Sequence, residues 1–484
     1  MASHEFHSFY YDQMQEEPVT DDFTLTSGTQ MTPKLLRELI DDHRQNHVPR
    51  YQYLEAAHRT HYRIFGPQKN PKPDHKPDNR LAADMAFNIT QTFEGFFIGV
   101  PIDVKFADDE AKAKYLADHS ERNNQDDVDA DLSEMCSKFG HCYEMFYQDD
   151  EGKPRSAPLT PMCSFIVYDD SVLHRPMYFV RYVYDEDGRM KGSYSDPLYV
   201  TRFEDGGGGI VETDVDEHYF GDVPVAEYMQ NSDKRGLYEG VLNLVEAYNK
   251  ALSEKANDVE YFSDAYMVVK GTELPDNYKD DLRKRKLINL FGDDAEHIDC
   301  FFLAKPDADA TQENLVNRLE MLIFKMAMVP DITDESFSTA SGIALKMRLM
   351  PMGNLARKKE LKFKASIKRR LQLLANYPDE PFGDEDWMKV EVTMHRNMPE
   401  DLASEASVAG NLSGIVSEET QLSVLSCVDD PKMEIERKEK EKQKRVESLS
   451  GGYPTNRVEG TMKDEDGGNV QPTEEAERSQ GAFA

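Results

Sequence analysis

Cysteine is scarce: five in 484 residues, at positions 136, 142, 163, 300 and 427, with no Cys-x-x-Cys pair. That spacing suggests neither a disulfide framework nor a thiolate zinc site, and it fits synthesis in a reducing cytoplasm. No Gly-x-x-x-x-Gly-Lys-Ser/Thr loop occurs, which removes the usual phosphate cradle of a motor ATPase. No His-Glu-x-x-His spacing occurs either. The thirteen histidines are scattered, and the nearest thing to a ligand pair, His58 and His61, reads as ordinary surface. No catalytic residue, metal or cofactor is therefore expected, and the chain is not expected to be an enzyme. The first thirty residues have no apolar core for a signal peptide, and no run of eighteen apolar residues exists to span a membrane. Basic residues fall short as well, 57 against 91 acidic, for a formal net charge of −34. Tight nucleic-acid binding needs clustered Lys and Arg, so this balance argues against it. Solubility alone would also account for the acidity.

Helical patterns are plentiful. Thr32-Pro33 has the form of an N-cap and first helical position, opening a helix expected to run to about Phe65. Residues 66–80 hold four prolines and read as a linker. Leu81, Met85, Ile89 and Phe93 then recur every fourth residue on one helical face. The longest regular signal is Gly236–Phe262, whose stripe includes Leu237, Val241, Leu244, Tyr248 and Phe262. About 27 residues at ~1.5 Å each would reach ~40 Å, more than a compact core needs. Asn249, Asn257 and Asp258 are poor helix formers on that helix. Their presence there demands compensating hydrogen bonds. A further helix is expected over Thr311–Met328, stopped by Pro330-Asp331. Ser341 looks like the cap of a helix running to about Tyr377, kinked or broken at Met350–Asn354. Helices are also expected over Glu400–Leu412 and Ser417–Leu425. The charged run 434–447 reads as a solvated helix, and residues from 451 as a disordered tail.

Between Gly140 and Val225 the texture is that of strands. His141–Gln148, Ser164–Tyr168, Met177–Tyr184 and Leu198–Phe203 are rich in Tyr, Phe, Val and Ile. Asp187-Gly188 and Gly206–Gly209 mark the turns. Residues 266–304 break into short strands around a charged helical piece, Tyr278–Lys286, and Met388–His395 alternates like a strand.

Two blocks carry a specific resemblance. The first, Tyr219–Lys270 with the glycine that follows it, contains Pro224, Glu227, Asn231, Tyr248, Asn249, Ser253, Asn257, Asp258, Phe262, Ala265 and Gly271. The second contains Pro330, Asp331, Phe337, Ser341, Gly342, Ala344, Leu345 and Lys346. In order and spacing they resemble the signature blocks of bacteriophage portal proteins, a family with members in siphophages of Gram-positive hosts. The likeness extends over roughly residues 80–440.

The resemblance implies an α+β portal fold with long stem helices, a strand-rich wing, a small α/β clip and a C-terminal helical crown, assembled as a ring. The implied layout is an N-terminal arm and linker over 1–80, wing 81–235 and stem helix 236–265. The clip follows over 266–306, then a second stem helix 307–330 and a tunnel loop 331–342. A long kinked helix with a return to the wing covers 343–398, crown helices 399–450 and a tail 451–484. It implies a channel at one capsid vertex through which double-stranded DNA is packaged and ejected, in the virion, with synthesis in the host cytoplasm. The implied partners are further copies of the chain, as a dodecamer, non-specific DNA, the terminase large subunit, scaffolding and major capsid proteins, and a head-completion (adaptor) protein. The tunnel loop would comprise Asp331, Thr333, Asp334, Glu335, Ser336, Phe337, Ser338, Thr339, Ser341 and Gly342, with Met350–Asn354 as the second choice for that role. Lys346, Arg348, Arg357, Lys358 and Lys364 belong to an unusually basic stretch. It fits intermittent phosphate contact, pairing with acids of the next subunit, or an ordinary solvated face. Another virion component, such as a minor head or shell protein, is the alternative; a packaging enzyme is disfavoured by the missing motifs.

Overall fold

The computed structural model describes residues 22–67, 77–107, 109–263, 267–272, 287–290, 299–302, 309–332, 342–378, 381–383, 385–397, 402–425, 427–428 and 430–450. The expected helix at Tyr278–Lys286 and the tail from 451 lie outside these residues. The chain divides into two compact units, Met1–Met398 and Pro399–Ala484.

The larger unit opens with strand β1 (Phe23–Leu25) and helix α1 (Pro33–Asp42), where the Thr32 side chain accepts from Leu35 N as its spacing predicted. The helix does not run on to Phe65. It passes through a π-helical turn, His43–His47, into α2 (Val48–His58), and a short 3-10 turn covers Arg63–Phe65. Pro49 explains the turn: it donates no backbone hydrogen bond, and its ring would crowd the preceding carbonyls of a regular helix. Helices α3 (Met85–Phe97), α4 (Glu110–Asn123) and α5 (Gln125–Phe139) follow, with β2 (Asp103–Lys105) between the first two. Met85, Ile89 and Phe93 are buried on α3, whereas Leu81 precedes the helix and is exposed.

The strand block forms two sheets. One has the order β10-β3-β4, from Val225–Met229, His141–Gln148 and Pro154–Leu159. The other joins β5 (Ser164–Asp169), β6 (Pro176–Tyr184), β7 (Met190–Ser195), β8 (Tyr199–Asp205) and β9 (Ile210–Glu217) in sequence, with β1 added in parallel beside β5. Gly206 N donates to Gly209 O at 2.9 Å, closing the β8–β9 hairpin at the four-glycine run.

Two long helices flank a small sheet. Helix α6 spans Leu242–Ser263, not Gly236–Phe262. A 3-10 turn, Glu239–Val241, precedes it, because the Glu239 carboxylate is taken by Gly236 N (2.9 Å) and by Arg50 (2.8 Å). Helix α7 spans Asp309–Ala327. Between them β11 (Met267–Lys270) pairs in parallel with β12 (Leu287–Leu290) and antiparallel with β13 (Asp299–Phe302). Helix α8 then runs unbroken over the 34 residues Gly342–Ala375, with Pro351 inside it. The expected break is absent: the helix runs through Pro351, and Pro351 and Met347 are both exposed, where water can take the hydrogen bond that proline does not donate. The segment expected as one strand, Met388–His395, is a 3-10 turn at Asp386–Met388 and a short β14 (Glu391–Thr393). β14 pairs antiparallel with β2, returning the chain to the strand between α3 and α4.

The smaller unit holds α9 (Leu402–Leu412), α10 (Glu418–Leu422) and α11 (Pro431–Ser450). Ser417 caps α10, and Lys438 pairs with Glu418 at 2.6 Å.

Candidate functional site

The candidate surfaces lie on α6, α7 and α8, so what fixes those helices comes first. Helix α8 is anchored by two buried cations on its core face. Lys359 is fully buried and donates to Glu94 Oε1 (2.8 Å), the Ser133 carbonyl (2.9 Å) and Ser137 Oγ (3.0 Å). Its ammonium also lies 4.7 Å from the centre of the Phe97 ring. One side chain thus ties α8 to α3 and α5. Three turns on, Arg370 donates to Glu144 Oε2 (2.8 Å) and Tyr228 Oη (2.7 Å), and pairs with Asp129. Burial opposes its charge, but Asp129 and Glu144 outweigh that and raise its pKa further. Arg369 pairs with Asp222 at 2.7 Å. Arg369 and Arg370 therefore meet acids of their own chain.

The signature residue Glu227 is the hub of a second network. It accepts from Lys234 Nζ (2.6 Å) and Tyr168 Oη (2.7 Å) and pairs with His141 Nδ1 (2.9 Å). Burial alone would raise its pKa; Lys234 and His141 together lower it. Lys234 is held at φ +49 beside Gly140, whose φ of +90 and absent side chain are both required. A Cβ at Gly140 would lie 1.8 Å from the Lys234 carbonyl oxygen.

The polar residues of α6 have a local explanation. The Asn249 and Asn257 Oδ1 atoms accept from the backbone N–H groups of Ala83 (2.9 Å) and Asn79 (2.5 Å). Ser253 Oγ accepts from Leu81 N (2.9 Å) and lies 3.1 Å from the Leu81 carbonyl. Residues 249, 253 and 257 are successive turns of one face, and 79, 81 and 83 are alternate positions of an extended segment. Their repeats are close, ~6 Å per four helical residues against ~6.6 Å per two extended ones, so the helix holds the strand-like segment as a ladder. The partner is backbone, and it belongs to the same chain. Asp258 accepts from Gln312 of α7 at 2.7 Å.

Of the expected packing residues, Val241, Tyr248, Asn249 and Asn257 are buried, and Leu237 and Leu244 pack partly buried against the main core. Leu237 and Val241 lie before α6 rather than on it. The Phe262 side chain lies outside the described residues. Of the expected tunnel loop, Asp331 follows Pro330 at the end of α7 and Gly342 opens α8. Thr333, Asp334, Glu335, Ser336, Phe337, Ser338, Thr339 and Ser341 lie outside the described residues. Met350–Asn354 is helical. Lys346, Arg348, Arg357 and Lys358 are exposed on α8, and Lys364 pairs with Glu360 at 2.8 Å.

Lys359 and Arg370 were missed as anchors, although a signal was present. Positions 352, 356, 359, 363, 367 and 370 share one helical face, which places both cations in phase with Met352, Ala356, Phe363 and Ile367. Among the described residues no cluster of three or more His, Cys, Asp or Glu could hold a metal, and no helix is long and apolar enough to cross a membrane.

The family described as "Phage portal protein, SPP1 Gp6-like" matches residues 37–448. The portal protein of Bacillus phage SPP1 is 21% identical over 471 residues, covering 90% of this chain and 89% of that one. The portal protein of Clostridium phage phiCD119 is 22% identical over 228 residues, and this chain spans about half, 49%, of its length. Two solved chains are similar in structure. One, from "Neck of empty GTA particle computed with C6 symmetry", has a TM-score of 0.42 at 12% identity, covering 71% of this chain and 90% of that one. The other, from "Neck of native GTA particle computed with C12 symmetry", has a TM-score of 0.40 at 11% identity, covering 71% and 89%. The chain belongs to the phage portal protein family, a class of structural virion proteins.

Proposed function

We propose that the chain is one subunit of a closed ring, a dodecamer, at a single capsid vertex, whose central channel passes double-stranded DNA during packaging and ejection. The observation that carries this reading is the family match over residues 37–448, which takes in the wing, α6–α8 and the smaller unit together. The charge supports it. A bore wall that bound phosphate tightly would stall the duplex, whereas a chain of net charge −34 repels it, with salt limiting the repulsion to within roughly 10 Å. In this reading α6 and α7 are the stem, the β11–β13 sheet is the clip, and residues 331–342 face the bore. The ring serves as docking site for terminase and the head-completion protein, nucleates the scaffolded shell, and performs no catalysis itself. Electron microscopy of the purified chain tests it: annular particles with an open centre are expected, and sheets, shells or a persistent monomer refute it.

A further inference from the structure

The outward face of α8 carries positive charge that, among the described residues, is only partly paired within one copy. The helix carries ten basic residues (346, 348, 357, 358, 359, 362, 364, 368, 369 and 370) and one acid, Glu360, a net charge of +9. Lys359, Lys364, Arg369 and Arg370 pair with Glu94, Glu360, Asp222 and Asp129. Lys346, Arg357, Lys358 and Lys368 are exposed and have no ion pair among the described residues.

Their placement is regular. Met347, Met350, Asn354, Lys358, Leu361 and Lys368 follow one another at steps of three, four or seven residues, which is a single stripe along the helix. All are exposed, and the apolar members strongly so: Met347 69%, Met350 60% and Leu361 67%. The stripe from Met347 to Lys368 is ~32 Å long.

We infer that this stripe is a subunit seam, occupied by the α6–α7 hairpin of a second copy. The inference rests on the ring proposed above, in which each contact joins two different faces of the chain. Three observations favour the hairpin as occupant. Helices α6 and α7 carry seven acids (246, 254, 258, 260, 309, 313 and 320) against four bases (250, 255, 318 and 325), a net charge of −3 that complements the stripe. They leave Val259, Leu315, Met321 and Met326 between 49% and 63% exposed, the apolar counterpart of Met347, Met350 and Leu361. Their 22 and 19 residues give ~33 and ~29 Å, matching the stripe in length. Duplex DNA is the poorer occupant, because phosphates would satisfy the lysines and leave three large apolar side chains in water.

The experiment is lysine acetylation of the full-length protein, with and without duplex DNA, read by peptide mass spectrometry alongside native mass spectrometry. In the ring, Lys358 and Lys368 are expected to lose label relative to the unassembled subunit, while exposed Lys34 and Lys105 keep theirs. In rings assembled from ¹⁴N and ¹⁵N copies, carbodiimide is expected to couple Lys358 or Lys368 to acids of α6 or α7 in isotopically mixed pairs. A variant with Lys358→Glu and Lys368→Glu, both at exposed positions, is expected to keep the far-ultraviolet circular dichroism of the subunit and fail to close the ring. Rings that form with both lysines fully labelled overturn the seam and leave the portal reading intact. Protection that appears only with DNA overturns it in favour of channel contact. Absence of any ring overturns both.

Discussion

Replacing Lys359 by Met is the sharpest test of how α8 is held. The side chain is fully buried, and its ammonium has three oxygen partners between 2.8 and 3.0 Å on α3 and α5. Methionine nearly matches its length and apolar stem, so the cavity left behind is small. The loss is electrostatic: Glu94, 7% exposed, keeps Ser133 and Ser137 as donors but loses its cation. Removing one partner of a buried pair costs about 3–5 kcal/mol, mostly because the remaining charge is stranded. In the unassembled subunit, where Lys358 is exposed and outside any seam, Lys358→Met should fall within about 0.5 kcal/mol of wild type. Adding Glu94→Gln to Lys359→Met removes the stranded charge and should recover about half the loss, a coupling that a double-mutant cycle measures directly. The assay is the urea midpoint of the purified subunit, followed by circular dichroism. If Lys359→Met unfolds within about 1 kcal/mol of Lys358→Met, burial and pairing of this lysine do not anchor the helix, and the reasoning fails.

The ladder on α6 predicts a local effect. Asn249→Ala with Asn257→Ala removes two backbone partners at about 1 kcal/mol each, so opening of the 79–83 segment, read as trypsin cleavage after Arg80, should speed up roughly thirtyfold. Unchanged cleavage would mean the ladder does not hold the segment. Acid sensitivity follows from two buried imidazoles: burial, with His47 nearby, pushes His43 down to about 3, and burial, with Arg370 nearby, does the same to His119. Both folded values lie below the free value of 6.5, so the unfolded chain binds the extra protons. Stability is full above pH 6.5 and declines toward pH 3, by about 1.4 kcal/mol per pH unit for each histidine. The stability advantage of wild type over His43→Gln should therefore shrink by about 2 kcal/mol between pH 6.5 and 5, and urea midpoints that move in parallel would refute it.

Much of the fold was legible because it rests on local chemistry. His141–Gln148 as a strand, the Gly206–Gly209 hairpin and the cap at Thr32 each follow from side chains within a few residues. The start of α6 was not, because what sets the 3-10 turn before it is Glu239 meeting Arg50, 189 residues away. The π-turn before Pro49 was read through as ordinary helix, although the proline itself was the signal. At the candidate surfaces the sequence correctly demanded compensation for Asn249 and Asn257. It could not place the compensating groups at 79 and 83, whose backbone offers no residue-type signal. The basic stretch on α8 was visible as composition. Its division into anchors and an outward stripe appears only when each position is assigned a helical phase.

The two buried cations of α8 fix more than its location. They stand eleven residues apart, three turns to within about a tenth of a turn, so both point the same way. Rolling the helix by one residue would swing each ammonium or guanidinium about 100° off its carboxylate, and sliding it by one would misplace both at once. The half of the helix from Lys359 to Arg370 therefore behaves as a keyed shaft. Whatever displacement reaches the helix from its N-terminal end has to be absorbed before Lys359, in the stretch that carries Pro351 and Gly353.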